Sequence, residues 1–165
     1  MRRTGREEGP GGADTPVHGE LELAARIVVA LVIGLALGAE REFRGYATQT
    51  RTMALIAVGS CMFAGLGLMP GFVGKADPTR IAAQIVAGVG FLGAGSILRQ
   101  GIEIRGLTTA ATIWVVASLG MAVGFGFFVL ALVATALVLA AQLILKPIEE
   151  RVFPTSRETP PVDKR

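Results

Sequence analysis

The sequence has few of the side chains that carry out catalysis or bind metal ions. It contains one histidine, His18, and one cysteine, Cys61, among 165 residues. A single cysteine excludes a disulfide within the chain, and no His or Cys cluster has the spacing of a metal site. The only histidine lies in a polar N-terminal segment, far from the serines of the apolar segments, so a nucleophilic centre is not expected. We therefore predict no enzymatic activity, no metal ion and no cofactor.

Charge is also scarce. Charged side chains make up 18% of the chain, and none occurs in residues 106–145, a run of 40 residues. As one helix this run would be about 60 Å long, twice the ~30 Å hydrocarbon core of a bilayer. It must therefore fold back on itself, and Gly124-Phe125-Gly126 in its middle is the predicted turn. The chain is predicted to be an integral membrane protein.

Five apolar runs divide the chain into one membrane domain with a polar tail at each end. The predicted spans are residues 23–39, 52–73, 81–98, 107–123 and 127–145. Residues 1–20 are predicted to be a disordered polar tail, residues 21–145 the transmembrane domain, and residues 146–165 a cytoplasmic proline-containing tail. A short interfacial helix over residues 146–152 is an alternative for the start of that tail. The predicted fold class is therefore all-α, with about five transmembrane helices in the lipid bilayer.

The positions of lysine and arginine predict the orientation. One side of the five predicted spans carries six basic residues: Arg2, Arg3, Arg6, Arg26, Lys75 and Arg80. The other side carries ten: Arg41, Arg44, Arg51, Arg99, Arg105, Lys146, Arg151, Arg157, Lys164 and Arg165. The richer side is predicted to be cytoplasmic, which places the N-terminus outside and the C-terminus inside. No basic patch is interleaved with aromatic residues, so no nucleic-acid partner is expected.

The third span carries a face of small residues at helical spacing, formed by Ala83, Ala87, Gly90, Gly93 and Ala94. Small residues let membrane helices approach closely, so this span is predicted to be central and to pack on another helix. The partners offered by the sequence are the pairs Gly34/Gly38 and Gly120/Gly124, within one chain or between subunits. Residues 88–93 also match a dinucleotide-binding glycine pattern, but no strand precedes them and no acidic residue follows at the required distance. Nucleotide binding is not expected.

Charged residues at the ends of the spans are the candidate functional groups. The charge-free part of the first span, residues 27–39, is only about 20 Å long as a helix, so Glu40 and Arg41 are drawn toward the bilayer. Glu22 and Arg26, four residues apart, are expected to pair, as are Glu40 and Arg44. Interfacial snorkelling explains any one such charge taken alone.

Asp77, Arg80 and Gln84 lie at one end and roughly on one face of the third span. Polar groups in a medium of low dielectric constant need partners or water, so this set predicts a polar cluster or an ion site. Asp77-Pro78 fits a helix start equally well, with Asp as N-cap and Pro at the first helical position. The full set of candidate polar residues is Glu40, Arg41, Arg51, Asp77, Arg80, Gln84 and Arg105.

Several motifs in a fixed order carry a family resemblance. They are residues 38–42 (GAERE), 51–52 (RT), 77–86 (DPTRIAAQIV), 90–95 (GFLGAG) and 104–111 (IRGLTTAA). Together they resemble the membrane domain of the MgtC/SapB family. The resemblance implies a bacterial inner-membrane protein of about five helices with a cytoplasmic C-terminus and no enzymatic activity.

The resemblance also implies a function and partners. The best-known members of the family support growth under magnesium limitation and survival inside host phagocytes. The resemblance implies that this chain modulates other membrane machinery, such as the ATP synthase, and does not carry magnesium itself. The sequence departs from the family in having Met53 after the Arg-Thr pair, where many relatives have His. Better-studied members add a soluble cytoplasmic domain after the last helix, so this chain is expected to be a short form. The alternative function is a small ion transporter or channel, assembled as a homo-oligomer.

Overall fold

Five helices and one short hairpin make up the computed structural model, which describes residues 16–45, 49–69, 77–100 and 103–152. The helices are α1 (Pro16–Phe43), α2 (Thr50–Leu66), α3 (Pro78–Gly95), α4 (Leu107–Gly124) and α5 (Phe128–Val152). Strands β1 (Leu98–Gln100) and β2 (Glu103–Arg105) form an antiparallel pair between α3 and α4.

The outside of the helical bundle is apolar. Phe43 is 92% exposed, Phe91 83% and Val129 77%, and exposed leucine and valine side chains continue this surface along α1 and α5. A surface of this kind is stable in lipid but not in water. Three segments are long and apolar enough to cross a membrane, Gly19–Phe43, Leu107–Gly124 and Phe128–Leu145, while Thr50–Leu66 is a shorter apolar helix. The protein is an all-α membrane protein.

The helix at the centre of the bundle is α4, not α3. Helix α4 buries eight residues, including Ile113, Val116 and Leu119, and it packs against all four other helices. In α3 only Ile85, Val89 and Gly93 are buried. The prediction that the third span is central was therefore wrong. Its small-residue face turns away from the bundle, since Ala83, Ala87, Gly90 and Ala94 are exposed and only Gly93 packs inward, against Ala110.

The closest helix contacts use the other two glycine pairs, and their partner is α2. A Cβ added at Gly34 would lie 2.7 Å from the Ala54 Cα, and one at Gly38 would lie 2.5 Å from the Thr50 Cα. Further along α2, a Cβ added at Gly120 would lie 2.9 Å from the Ala57 Cα. Gly124 meets Cys61 and Ala64 in the same way. These pairs join α1 and α4 to α2, so within one chain the prediction that they pack on the third span was wrong.

The predicted turn between α4 and α5 is confirmed. Helix α4 ends at Gly124, and Gly126 has a left-handed φ of +88°, which a glycine adopts without strain. Arg26 of α1 donates a hydrogen bond of 2.6 Å to the Gly124 carbonyl and pairs with Glu22, as the spacing of those two residues predicted. The cation thus lies at the C-terminal end of α4, where the helix dipole is negative.

The ends of the predicted spans differ from the structure in several places. Helix α1 begins at Pro16, inside the predicted polar tail, and α5 continues to Val152, through the predicted interfacial helix. Helix α2 ends at Leu66, seven residues before the predicted end, and α3 ends at Gly95, before the hairpin that the sequence analysis did not predict. Residues 1–15, 70–76 and 153–165 lie outside the described residues, with most of both predicted tails.

Candidate functional site

Arg41 is the most buried charged side chain among the described residues and the centre of the candidate site. Arg41 is only 2% exposed. Its Nε donates to the Gln49 Oε1 at 3.0 Å, and its two terminal nitrogens donate to the Thr112 Oγ1 at 3.1 Å and the Thr109 Oγ1 at 3.0 Å. We call Arg41, Gln49, Thr109 and Thr112 the Arg41 cluster. A buried guanidinium in a membrane protein is costly, and these bonds supply the polar environment that it requires.

The acceptors of the Arg41 cluster are themselves held in place. The Gln49 Nε2 donates to the Thr109 Oγ1 at 3.4 Å, and the Thr112 hydroxyl donates to the Thr108 carbonyl at 2.8 Å. The Gln49 amide and the Thr112 hydroxyl therefore have fixed orientations, in which their oxygen lone pairs can accept from the guanidinium. This network joins the end of α1 to the segment before α2 and to the first turns of α4.

Two glycines bring the parts of the Arg41 cluster together. At Gly38, one turn before Arg41, the backbone of α1 lies against Thr50 at the start of α2, where a Cβ would not fit. At Gly106 the backbone adopts a φ of +90°, and a Cβ there would overlap the Ser96 carbonyl. Only glycine adopts that conformation without strain and leaves that space. Gly106 therefore sets the direction in which α4 leaves the hairpin, and with it the position of Thr109.

The other predicted residues near this end of the bundle lie outside the cluster. Glu40 forms an ion pair with Arg44, as their spacing predicted. Arg51 is exposed on α2. Arg105 is exposed on β2, opposite Leu98 of β1. Of the four candidate residues at this end, Arg41 is therefore buried, Glu40 is partly buried, and Arg51 and Arg105 are exposed.

Asp77 caps α3. Its Oδ1 accepts hydrogen bonds from the Thr79 backbone N–H at 2.9 Å and from the Thr79 hydroxyl at 2.7 Å, and Pro78 follows at the first helical position. The helix start predicted from Asp77-Pro78 is confirmed. These bonds hold the pKa of this exposed carboxyl below its ordinary value of 3.8. The bond from the Thr79 hydroxyl has the largest effect and the bond from the Thr79 backbone the next largest, and the nearby Arg80 charge acts in the same direction.

Arg80 and Gln84 line a large groove between α2 and α3. The groove has a volume of about 1140 Å³ and opens toward the surrounding bilayer; we call it the α2–α3 groove. Its polar lining residues are Gln49, Thr52, Ser60, Arg80, Gln84, Ser96 and Thr109, and its other lining residues are apolar or glycine. Gln49 and Thr109 also belong to the Arg41 cluster, so that cluster borders one end of the groove. Arg80 lies toward the other end, where Ile81 packs on Gly67 after α2.

The structure therefore separates the predicted polar residues into two sets. Arg41 lies beside the first residues of α2, whereas Asp77, Arg80 and Gln84 lie toward the far end of that helix, which is about 25 Å long at its 17 residues. Among the described residues, no group of three or more His, Cys, Asp or Glu side chains could hold a metal ion. The candidate site is thus a hydrogen-bonded cation, not a cluster of cation ligands.

Sequence reasoning missed three members of the Arg41 cluster: Gln49, Thr109 and Thr112. Thr109 and Thr112 are three residues apart in an otherwise apolar helix, a spacing that places both hydroxyls on one face. That pattern could have indicated a polar partner across the bundle. Gln49 lies 60 residues from Thr109, to which it is bonded, and nothing in its local sequence indicates that contact.

Comparison with known proteins assigns the chain to a family. The model of the MgtC family matches residues 27–151. The chain belongs to the MgtC family. The resemblance to MgtC/SapB proteins that the motifs indicated is confirmed, and the MgtC match includes the whole Arg41 cluster and both walls of the α2–α3 groove.

Individual members of the MgtC family match over most of the chain. Protein MgtC of Salmonella choleraesuis (strain SC-B67) is 42% identical over 135 residues, which are 80% of this chain and 57% of that protein. Protein MgtC of Brucella abortus (strain 2308) is 42% identical over 125 residues, 76% of this chain and 52% of that protein. The chain thus spans a little over half the length of these curated relatives. No solved structure matches.

Proposed function

We propose that this MgtC-family chain is a non-enzymatic membrane modulator that supports growth when magnesium is limiting. The observation that carries the proposal is 42% identity to proteins named MgtC across about four fifths of the chain. The family resemblance adds magnesium limitation and survival inside host phagocytes as the conditions in which such a protein acts. The protein would act by contact with other membrane machinery, of which the ATP synthase is the candidate partner, and it would do so as a single chain or a homo-oligomer.

The geometry favours a modulator over the alternative, a small ion transporter or channel. A transport path through the predicted polar residues would bring Glu40, Asp77 and Arg80 to one water-accessible surface. Of these three, only Arg80 lines the α2–α3 groove, while Glu40 pairs with Arg44 and Asp77 caps α3. The groove is mainly apolar, which does not stabilise a hydrated ion.

We place the modulator in the bacterial inner membrane, with the N-terminus outside and the C-terminus in the cytoplasm. The excess of Lys and Arg on the C-terminal side of the spans supports this orientation. The Arg41 cluster would then lie near the cytoplasmic surface, and Arg80 near the outer surface. Fusion of a reporter active only in the cytoplasm to each end of the chain tests this assignment.

A deletion strain grown across a magnesium series tests the function. Wild-type protein should restore growth at low magnesium, and the deletion should have no effect when magnesium is abundant. Purified protein in liposomes should carry no ion current above that of empty liposomes. If the deletion strain grew like wild type at every magnesium concentration, the magnesium role would be refuted. An ion flux that depends on the protein would instead support the transporter alternative.

A further inference from the structure

The α2–α3 groove has the polarity of a site for an amphiphile. Apolar side chains such as Leu55, Phe63 and Leu92 line its length, and they are also exposed at its opening toward the bilayer. Water is poorly stabilised along an apolar surface of this kind, because it finds too few hydrogen-bond partners there. A hydrocarbon chain from the surrounding membrane fits that surface without loss of hydrogen bonds.

Within the part of the chain that the structure describes, Arg80 is the only charged residue that lines the groove, and Gln84 lies one helical turn beyond it. Both side chains are exposed, and among the described residues neither forms a hydrogen bond through its side chain. Helix stability does not explain the position of Arg80, because a cation in the first turn of a helix opposes the helix dipole. A guanidinium beside an amide is a suitable donor set for a phosphate group.

We propose that the α2–α3 groove binds one anionic phospholipid, with its phosphate on Arg80 and Gln84 and its acyl chains along the groove. Charge complementarity at one end and apolar lining beyond it support this occupant. Gly88, on the wall of the groove, is eight residues from Arg80, or about 12 Å along α3. That distance lies within one leaflet, about half of the ~30 Å hydrocarbon core, so acyl chains of the same lipid would pass Gly88.

Asp77 does not remove the positive charge from this site. Its carboxylate does not line the groove and is bound by the N–H and the hydroxyl of Thr79. Its charge lies close enough to Arg80 to interact with it, so the net field at the groove is weaker than that of an isolated guanidinium. Hydrogen bonds from Arg80 and Gln84 to the phosphate would form with any phospholipid, so the preference for an anionic headgroup comes from the remaining positive charge of Arg80, which a choline cation would oppose.

The glycines of the groove provide variants that fill it. A Cβ added at Gly88 on α3 or at Gly59 on α2 meets no atom within 4 Å, so both positions accept a larger side chain without moving the backbone. Gly88→Phe and Gly59→Phe would therefore occupy the path of the acyl chains from opposite walls. Gly90→Phe is the matched control, because Gly90 is equally open but lies on the face of α3 away from the groove.

Native mass spectrometry of the purified full chain tests the proposal. Protein in detergent would be titrated with phosphatidylglycerol and phosphatidylcholine that carry identical acyl chains, and circular dichroism would verify the helix content of each variant. We expect wild type to retain phosphatidylglycerol preferentially. Arg80→Gln should lower that retention roughly tenfold, the effect expected for loss of a charge-assisted hydrogen bond. Arg51→Gln, which removes an exposed arginine outside the groove, should leave it unchanged.

Gly88→Phe and Gly59→Phe should lower retention of both lipids, and Gly90→Phe should behave like wild type. Equal retention of the two lipids by wild type would overturn the proposal, as would equal effects of Arg80→Gln and Arg51→Gln. Retention that is unchanged in a folded groove-filling variant would also overturn it. If those variants reduce the amount of dimer in the same spectra and leave lipid retention unchanged, the groove binds a second copy of the chain and not a lipid.

Discussion

Arg41, near the end of α1, donates a hydrogen bond of 3.1 Å to the hydroxyl of Thr112 in α4, 71 residues away in sequence. The contact joins the first helix to the helix at the centre of the bundle, and both residues are buried. A buried donor that loses its acceptor retains the full cost of its desolvation. The side chains that surround Arg41 are therefore expected to contribute to stability as well as to function.

Thr112→Val should lower the free energy of unfolding by about 1–3 kcal/mol, because one terminal nitrogen of Arg41 loses its acceptor in a buried site. Thr135→Val is the matched control. Thr135 is also buried, but its hydroxyl donates to Ala131 in its own helix, a bond whose loss costs little. Reversible unfolding in mixed micelles, followed by circular dichroism, measures both. Equal losses in the two variants would mean that the Arg41–Thr112 bond adds no stability.

Gly120→Ala should destabilise the protein by about 1–3 kcal/mol, since the new methyl group would overlap the Ala57 backbone and force α2 and α4 apart. Gly90→Ala should be neutral or slightly stabilising, because nothing lies within 4 Å of the new methyl group and alanine favours a helix more than glycine does. The same unfolding measurement compares them. A neutral Gly120→Ala variant would contradict the close packing of α2 on α4.

Local patterns predicted the parts of the fold that depend on nearby residues. The turn at Gly124-Phe125-Gly126 follows from the length of an uncharged run, and the pair Glu22–Arg26 follows from helical spacing. The hairpin before α4 was missed because residues 98–105 were divided between a helix end and a loop. Alternating polar and apolar residues around Gly101 were its available signal.

Contacts between distant segments could not be predicted from the sequence. The glycine pairs Gly34/Gly38 and Gly120/Gly124 were correctly identified as points of close approach, but a glycine does not indicate which helix approaches it. The small-residue face of the third span was predicted as the surface on which these glycines pack, whereas they pack on α2. For the same reason, the burial of Arg41 against Gln49 and Thr109 depends on a tertiary arrangement that one sequence does not specify.

The contribution of Asp77 to stability should depend on pH. Its pKa is lower in the folded protein than the ordinary 3.8, so the ionised carboxylate is favoured by folding. That contribution is complete above about pH 4 and is lost as the pH falls through the lower folded pKa. Asp77→Asn, which can still cap α3, should therefore show a flatter stability curve in acid. A curve parallel to that of wild type would show that Asp77 does not titrate with folding.

Arg26→Gln should destabilise the turn between α4 and α5. Arg26 donates a hydrogen bond to the Gly124 carbonyl, pairs with Glu22, and has its guanidinium carbon 5.8 Å from the centre of the Phe128 ring. Loss of these contacts should lower the free energy of unfolding by about 1–3 kcal/mol. Arg44→Gln is the matched control, since Arg44 has a similar side-chain exposure and its ion pair with Glu40 lies within one helix. Hydrogen exchange at the start of α5 should increase in Arg26→Gln alone. Equal exchange in both variants would contradict a role for Arg26 at this turn.

The measurement that tests the role of the Arg41 cluster most directly is growth of a deletion strain at limiting magnesium, complemented with Arg41→Lys or Arg51→Lys. Lysine keeps the charge but cannot reach three acceptors with the geometry of a guanidinium. With equal amounts of protein in the membrane, we expect Arg51→Lys to restore growth fully and Arg41→Lys to fail. Full rescue by Arg41→Lys would show that the bonds to Gln49, Thr109 and Thr112 are not required for function.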